Sequence, residues 1–141
     1  MYCFLNSASQ IRKQIPSYAA AFVAGVADGF NQTISFNYKG FKKTFPAAND
    51  RYWDPGLSYA NKYKNGDRSQ GEAFPLSSSV LVFTTDGYHL TRFVEHLSWA
   101  TCITFKLGEK KKKWWLYVID GCSYWLINRA GMSLTYKIFE K

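Results

Sequence analysis

The stretch Val80-Leu81-Val82-Phe83-Thr84-Thr85-Asp86-Gly87-Tyr88-His89-Leu90-Thr91-Arg92-Phe93-Val94-Glu95-His96-Leu97 carries two incompatible periodicities. Coiled at 100° per residue, it gathers Thr85, Asp86, His89, Arg92 and His96 within about a third of the circumference. Phe83, Leu90, Val94 and Leu97 then lie elsewhere. Extended, it becomes two β-branched runs joined at Asp86-Gly87, and an Asp-Gly between such runs signals a hairpin. The polar stripe favours the coil over Ser78 to Phe105. A soluble sheet would also alternate apolar and polar residues, and Trp114-Trp115-Leu116-Tyr117-Val118-Ile119 downstream does not.

Outward from this stretch the same reading holds. Residues 17–36 are small and apolar, with alanines at 19 to 21 and Ser17 placed to cap a helix after a stop at Pro16. Ala21, Gly25 and Gly29 recur every fourth residue, the small-xxx-small spacing that lets helices approach closely. The spacing predicts either a close crossing within the chain or a homo-oligomer through Ala21, Gly25 and Gly29. Residues 37–76 hold turn signals at Phe45-Pro46, Asp54-Pro55-Gly56 and Asn65-Gly66-Asp67. About 40 residues without structure are unusual in a compact domain. The aromatics Tyr52, Trp53, Tyr59, Tyr63 and Phe74 are therefore expected to pack, with a short helix near Ser58 to Lys64. The expected fold is all-α: one domain, residues 1–141, a small bundle of three main helices with a long polar-aromatic connection. The alternative is a β-rich meander or small barrel turning at Asp86-Gly87, Asp120-Gly121 and Ala130-Gly131.

The 141 residues suffice for one domain and one core. The chain is 47% hydrophobic and 18% aromatic, which excludes a disordered protein. Its formal charge of +8 favours anionic partners: nucleic acid, an acidic lipid surface or a phosphorylated molecule. Cys3, Cys102 and Cys122 form no disulfide framework and no metal spacing; free thiols are expected, with a Cys102–Cys122 bridge as the alternative. Met1 to Leu5 is too short for the apolar part of a cleavable signal, and Arg12-Lys13 follow it. No stretch of 18 residues lacks polar groups, so no simple lipid-facing span is expected. Positive charge on both sides of the first block, at Arg12-Lys13 and Lys42-Lys43, sets no orientation.

Ala24-Gly25-Val26-Ala27-Asp28-Gly29, Ala48-Asn49-Asp50 with Tyr52-Trp53, Asn61-Lys62-Tyr63-Lys64-Asn65-Gly66-Asp67 and Thr85-Asp86-Gly87-Tyr88-His89-Leu90 follow in this order. As a set they resemble an uncharacterised family of small bacterial and phage-borne proteins, over about residues 20–139. The resemblance implies membrane-embedded helices and no known activity. This chain departs from it at Gln32, where the family often has Glu, which weakens an ionisable pair with Asp28. A fainter similarity is to VanZ-like small membrane proteins.

Asp28-Gly29, Asp86-Gly87 and Asp120-Gly121 put one carboxylate in each apolar block. A buried carboxylate needs a partner. A cluster of Asp28, Gln32, Asp86, His89, Arg92 and Asp120 is expected between the helices. It reads in three ways: a structural network, a metal site on Asp28, Asp86, His89 and Asp120, or a catalytic pair in which Asp86 orients His89 as a general base. Neither metal identity nor cofactor is readable. No Gly-rich phosphate loop, HExxH, GxSxG or zinc-spaced Cys/His set is present. Lys110, Lys111, Lys112 and Lys113 precede Trp114 and Trp115, a pattern suited to anionic headgroups and the membrane interface. It also suits phosphates and stacked bases.

These features lead to a membrane-associated basic helical protein with a binding or structural role, cytoplasmic if soluble. The alternatives are a β-rich nucleic-acid-binding or phage structural module, and a metal-dependent hydrolase acting at the lipid surface.

Overall fold

The computed structural model describes the backbone of residues 2–109 and 111–140, and the side chains within that range from residue 14 onward. Cys3, Arg12, Lys13 and Lys110 therefore lie outside the described side chains. The described residues form six α-helices: α1 (Tyr2–Phe36), α2 (Tyr38–Thr44), α3 (Asp50–Trp53), α4 (Pro55–Ser58), α5 (Gly87–Leu107) and α6 (Trp114–Phe139). Short 3-10 turns lie between α4 and α5, and the described residues contain no strand, only an isolated bridge between Tyr63 and Glu72. The all-α expectation holds, and the β-meander alternative is excluded.

Helix α1 lies at the centre, and the close backbone approaches of both α5 and α6 are made to it. Gln14 meets Lys106 and Tyr124 near one end, while Asn31 meets Tyr88 and Thr91 near the other. Hence α5 runs antiparallel to α1, and α6 runs parallel to it. The α2–α4 connection closes the end that holds Asn31, and the α5–α6 turn closes the opposite end.

Pro16 does not stop the first helix; it sits inside α1 with its ring exposed. A proline in mid-helix costs about 3 kcal/mol, and packing of the small face that follows offsets this. Ser17 is consequently not a cap but a fully buried residue, its hydroxyl without a hydrogen-bond partner among the described residues.

The small-residue stripe is covered within the chain. A Cβ added at Gly25 would overlap the Asn128 carbonyl oxygen, and one at Gly29 would lie 2.7 Å from Thr135 Cβ. Gly131 on α6 answers them: its Cβ would lie 2.6 Å from the Phe22 carbonyl oxygen. Ala21 packs with Cys102 and Tyr124. The expected homo-oligomer surface is thus the α1–α6 crossing, because a face this tightly filled by one helix cannot receive another.

Neither Asp-Gly forms a hairpin turn. Asp86 has extended backbone angles and its carboxylate accepts the His89 backbone N–H at 2.8 Å, so it caps α5. The second helix therefore starts at Gly87 rather than near Ser78, after turns and a 3-10 segment at Val82–Thr84. Asp120-Gly121 lies inside α6, where Lys106 and Lys112 neutralise the carboxylate. In the connection, helical turns cover Pro55–Ser58, Tyr59–Lys62 and Lys64–Gly66, close to the expected short helix. Tyr59 and Phe74, expected to pack, are exposed. Cys102 is buried and Cys122 exposed, both free, so they form no bridge.

The distribution of polarity is inverted. The buried polar residues include Asn31, Thr33, Thr91, Ser98 and Thr135, while the buried apolar residues of the long helices are few and mostly small. Ile103, Val118, Trp125, Leu126, Leu134 and Ile138 each keep more than half of their surface exposed. Among the described residues no helix is long and apolar enough to cross a membrane.

Candidate functional site

The site forms where the connection meets α5. Asp86 is 1% exposed, held at the N-cap position. Its carboxylate accepts the backbone N–H of His89 at 2.8 Å, and His89 Nδ1 lies 2.9 Å from Oδ1 and 2.8 Å from Oδ2. The three-residue spacing makes both contacts possible at once, since position i+3 follows the cap by one helical turn. The Thr85 hydroxyl stands 3.0 Å from Asp86 Oδ2 and 2.7 Å from the Val82 carbonyl, and donates to one or the other.

Other elements fix this pair in place. The Asn61 side-chain amide donates to the carbonyls of Arg51 (2.7 Å) and Thr85 (3.0 Å), tying the residue before the cap to α3. Asn31, 2% exposed on α1, donates to the Tyr88 carbonyl at 3.1 Å and to Thr91 Oγ1 at 2.9 Å. Trp53 packs against Gly87, where a Cβ would overlap its ring. Burial first, and then the charge of Asp86, push the Tyr52 phenol pKa up. The Tyr88 ring meets the His89 ring edge-on at 5.3 Å.

The chemical consequence is a defined imidazole. A buried carboxylate receiving Nδ1–H leaves Nε2 with its lone pair. The His89 side chain is 29% exposed, and among the described residues no hydrogen bond occupies Nε2. Such a nitrogen can accept a proton or bind a Lewis acid. Among the described residues no serine, threonine or cysteine hydrogen-bonds to it.

The remaining expected members do not converge here. Asp28 accepts from Gln32 Nε2 at 3.5 Å along α1, and both are half-buried. Arg92 pairs with Glu95 at 2.9 Å and stacks over Tyr88, rather than neutralising Asp86. Asp120 binds Lys106 at 3.2 Å, about 30 Å along α5 from Asp86 at 1.5 Å per residue. No group of three His, Cys, Asp or Glu residues among the described residues could hold a metal ion. The expected metal set is dispersed by the length of α5.

The basic run divides in two. Lys112 bridges Glu109 at 2.5 Å and Asp120 at 3.1 Å, and Lys106 bonds the same two carboxylates. Burial opposes ionisation of Glu109, but hydrogen bonds from Lys112 and Lys106 outweigh it and lower the pKa. Burial likewise opposes the charge on Lys112, and Glu109 and Asp120 outweigh it and raise the pKa. Lys111 and Lys113 remain exposed beside Trp114, which is 77% exposed, and Trp115.

Sequence reasoning missed Asn31, Asn61 and Tyr52. Asn31 carried a readable signal, a polar amide within an apolar helix. Asn61 and Tyr52 sit in the connection, where their partners depend on the path of the chain.

No family model matches the chain, and no curated protein or solved structure matches it.

Proposed function

We propose that this chain is a membrane-associated helical protein with a binding role, whose apolar flank lies in lipid and whose polar groups face its own interior. The observation that carries the reading is the inverted polarity: Asn31, Thr33, Thr91, Ser98 and Thr135 are inside, while Leu97, Ile103, Trp125, Leu126 and Leu134 are outside. Each large apolar side chain left in water forgoes about 1.5–3 kcal/mol of burial. A contiguous apolar surface marks an interaction site. Helices that meet through glycine and hydrogen-bonding side chains suit a surrounding as apolar as their own exterior.

Lipid is favoured over another apolar partner by the α5–α6 turn. Exposed Lys111 and Lys113 stand next to exposed Trp114 and Trp115, which matches anionic headgroups above an interfacial aromatic layer. The association is of the bundle's flank with lipid and requires no helix that crosses a bilayer alone. The resemblance to small membrane proteins points the same way, and the phage connection rests on that resemblance alone.

The test is flotation with vesicles of phosphatidylcholine, with and without phosphatidylglycerol. Co-flotation that increases with phosphatidylglycerol supports the reading. A chain that stays at the bottom of the gradient as a soluble monomer overturns it; so does one that leaves the vesicles for added DNA or RNA.

A second reading is favoured by one observation, the Asp86–His89 pair with its free Nε2. On this reading the site performs acid–base chemistry on a ligand at the connection end of the bundle. His89→Gln, which keeps a polar side chain and the Asp86 cap, removes such chemistry without removing lipid binding.

A further inference from the structure

A cavity of about 480 Å³ lies within the connection between α4 and α5, lined by Tyr59, Lys62, Tyr63, Gly66, Asp67 and Arg68. Tyr59 and Lys62 stand three residues apart on one 3-10 turn, and at about three residues per turn they share a face. The rest of the wall is a loop pinned shut at its base. The Lys64 N–H donates to the Gly71 carbonyl and the Ala73 N–H to the Lys62 carbonyl, both at 3.0 Å. The buried Ser77 hydroxyl donates to the same Lys62 carbonyl at 2.8 Å. Within the loop Asn65 and Gly66 take positive φ, and the Asn65 amide donates to Gln70 Oε1 at 2.9 Å. The volume falls within the range of about 300–1,000 Å³ typical of small-molecule pockets.

Both cations of the lining lack a carboxylate. Among the described residues neither Lys62 nor Arg68 forms an ion pair. Lys62 Nζ lies 5.7 Å from the centre of the Tyr63 ring, a contact that brings no negative charge. Asp67 is the acidic residue of the lining, and its oxygens accept from other donors: the Ser69 N–H and hydroxyl, each at 2.8 Å, and Gln70 Nε2 at 3.1 Å. These bonds, that of the Ser69 hydroxyl first, hold its pKa down. Three of its roughly four acceptor positions are thereby filled. The lining thus sets two cations against one anion that pairs with neither. Beside them Tyr59 keeps 60% of its surface exposed. Flat rings stack on tyrosine, and a guanidinium grips phosphate through parallel hydrogen bonds. A ligand complementary to both is a flat ring joined to an anionic group. An inorganic anion would leave the tyrosines unused, and a glycerol-based lipid headgroup has no ring to stack.

We propose that this cavity binds a nucleotide, with its base stacked on Tyr59 and its phosphate held by Lys62 and Arg68. The site belongs to the connection and needs no contact with lipid, so it stands apart from the membrane reading. Its wall is anchored to the start of α5, because Asn61, between Tyr59 and Lys62 in the chain, donates to the Thr85 carbonyl beside the Asp86 cap.

The test titrates the full chain, in nonionic detergent, with adenosine monophosphate in a calorimeter, and in parallel with adenosine, inorganic phosphate and glycerol phosphate. Every base has a face that stacks, so one nucleotide serves as the probe. Expected is binding of adenosine monophosphate about tenfold tighter than that of each of the other three. Arg68→Gln is expected to weaken it about tenfold, the effect of one charge-assisted hydrogen bond. Tyr59→Leu is expected to weaken it about fivefold, the effect of one base–aromatic stack. Both residues are exposed, so these variants keep the fold. Lys137→Gln, which removes an equal charge from the exposed side of α6, is expected to leave binding unchanged. Three results each overturn the proposal: no binding of adenosine monophosphate at millimolar concentration, glycerol phosphate bound as tightly as adenosine monophosphate, or equal losses in Arg68→Gln and Lys137→Gln. No vesicle is present, so this result and that of flotation are separate.

Discussion

Gly25 and Gly131 face each other across the α1–α6 crossing. A Cβ added to Gly131 would lie 3.3 Å from the Gly25 carbonyl carbon and 2.6 Å from the Phe22 carbonyl oxygen. These contacts are with backbone, which cannot rotate aside. Gly131→Ala is expected to destabilise the fold by about 1–3 kcal/mol, the usual cost of overpacking. Gly121→Ala on the same helix meets nothing within 4 Å and is expected to stabilise it by about 0.5–1 kcal/mol through helix propensity. Thermal unfolding of the two variants side by side decides the matter; similar shifts in both would remove the crossing as the basis of the fold.

Asp86 has two duties, and they can be separated. Asp86→Ala removes the cap and the His89 partner together, and is expected to cost about 1–2 kcal/mol. Asp86→Asn keeps a capping oxygen and loses the charge that orients the imidazole. Nitrogen NMR of the neutral imidazole in the wild type is expected to show its proton on Nδ1, and Asp86→Asn to show a mixture of tautomers with little loss of stability. A wild-type imidazole with its proton on Nε2 would rule out the assigned role of Asp86.

The Lys106–Glu109–Lys112–Asp120 network gives the α5–α6 turn a pH window. Glu109 has a lowered folded pKa, so its contribution is present above the unfolded value of about 4.3 and is lost as pH falls through the folded one. Lys112 has a raised folded pKa, so its contribution is present below the unfolded value of about 10.4 and is lost as pH rises through the folded one. The contribution of this network is expected to be level between about pH 5 and 10 and to decline outside that range. Glu109→Gln is expected to make the acid limb shallower. Urea midpoints across pH measure this, and an unchanged acid limb in the variant would contradict it.

Lys111, Lys113 and Trp114 are exposed and free to meet a surface. Lys111→Gln with Lys113→Gln is expected to reduce binding to phosphatidylglycerol vesicles by about 30-fold, at about 1 kcal/mol per lysine, and binding to phosphatidylcholine hardly at all. Lys112→Gln is expected to act differently, lowering stability rather than lipid preference, because its charge is held by Glu109 and Asp120. Equal effects of the three lysines on vesicle binding would show that the run acts as a simple charge patch.

The local sequence determined three helical segments, a structured connection and the presence of polar groups inside apolar blocks. The helical propensity of Ala19 to Ala21 and the unalternating run from Trp114 to Ile119 are local properties, legible without tertiary contacts. The Asp86–His89 pairing was legible for the same reason, since three residues on a helix bring two side chains together. Local rules failed where two of them competed: Asp-Gly signals both a hairpin and a helix cap, and Pro16 reads as a stop until packing of the following face outweighs its cost. The α1–α6 crossing, the distance of Asp120 from Asp86 and the anchoring by Asn31 and Asn61 were decided by tertiary structure alone. They depend on which helix lies beside which over separations of tens of residues, and no local periodicity encodes that choice.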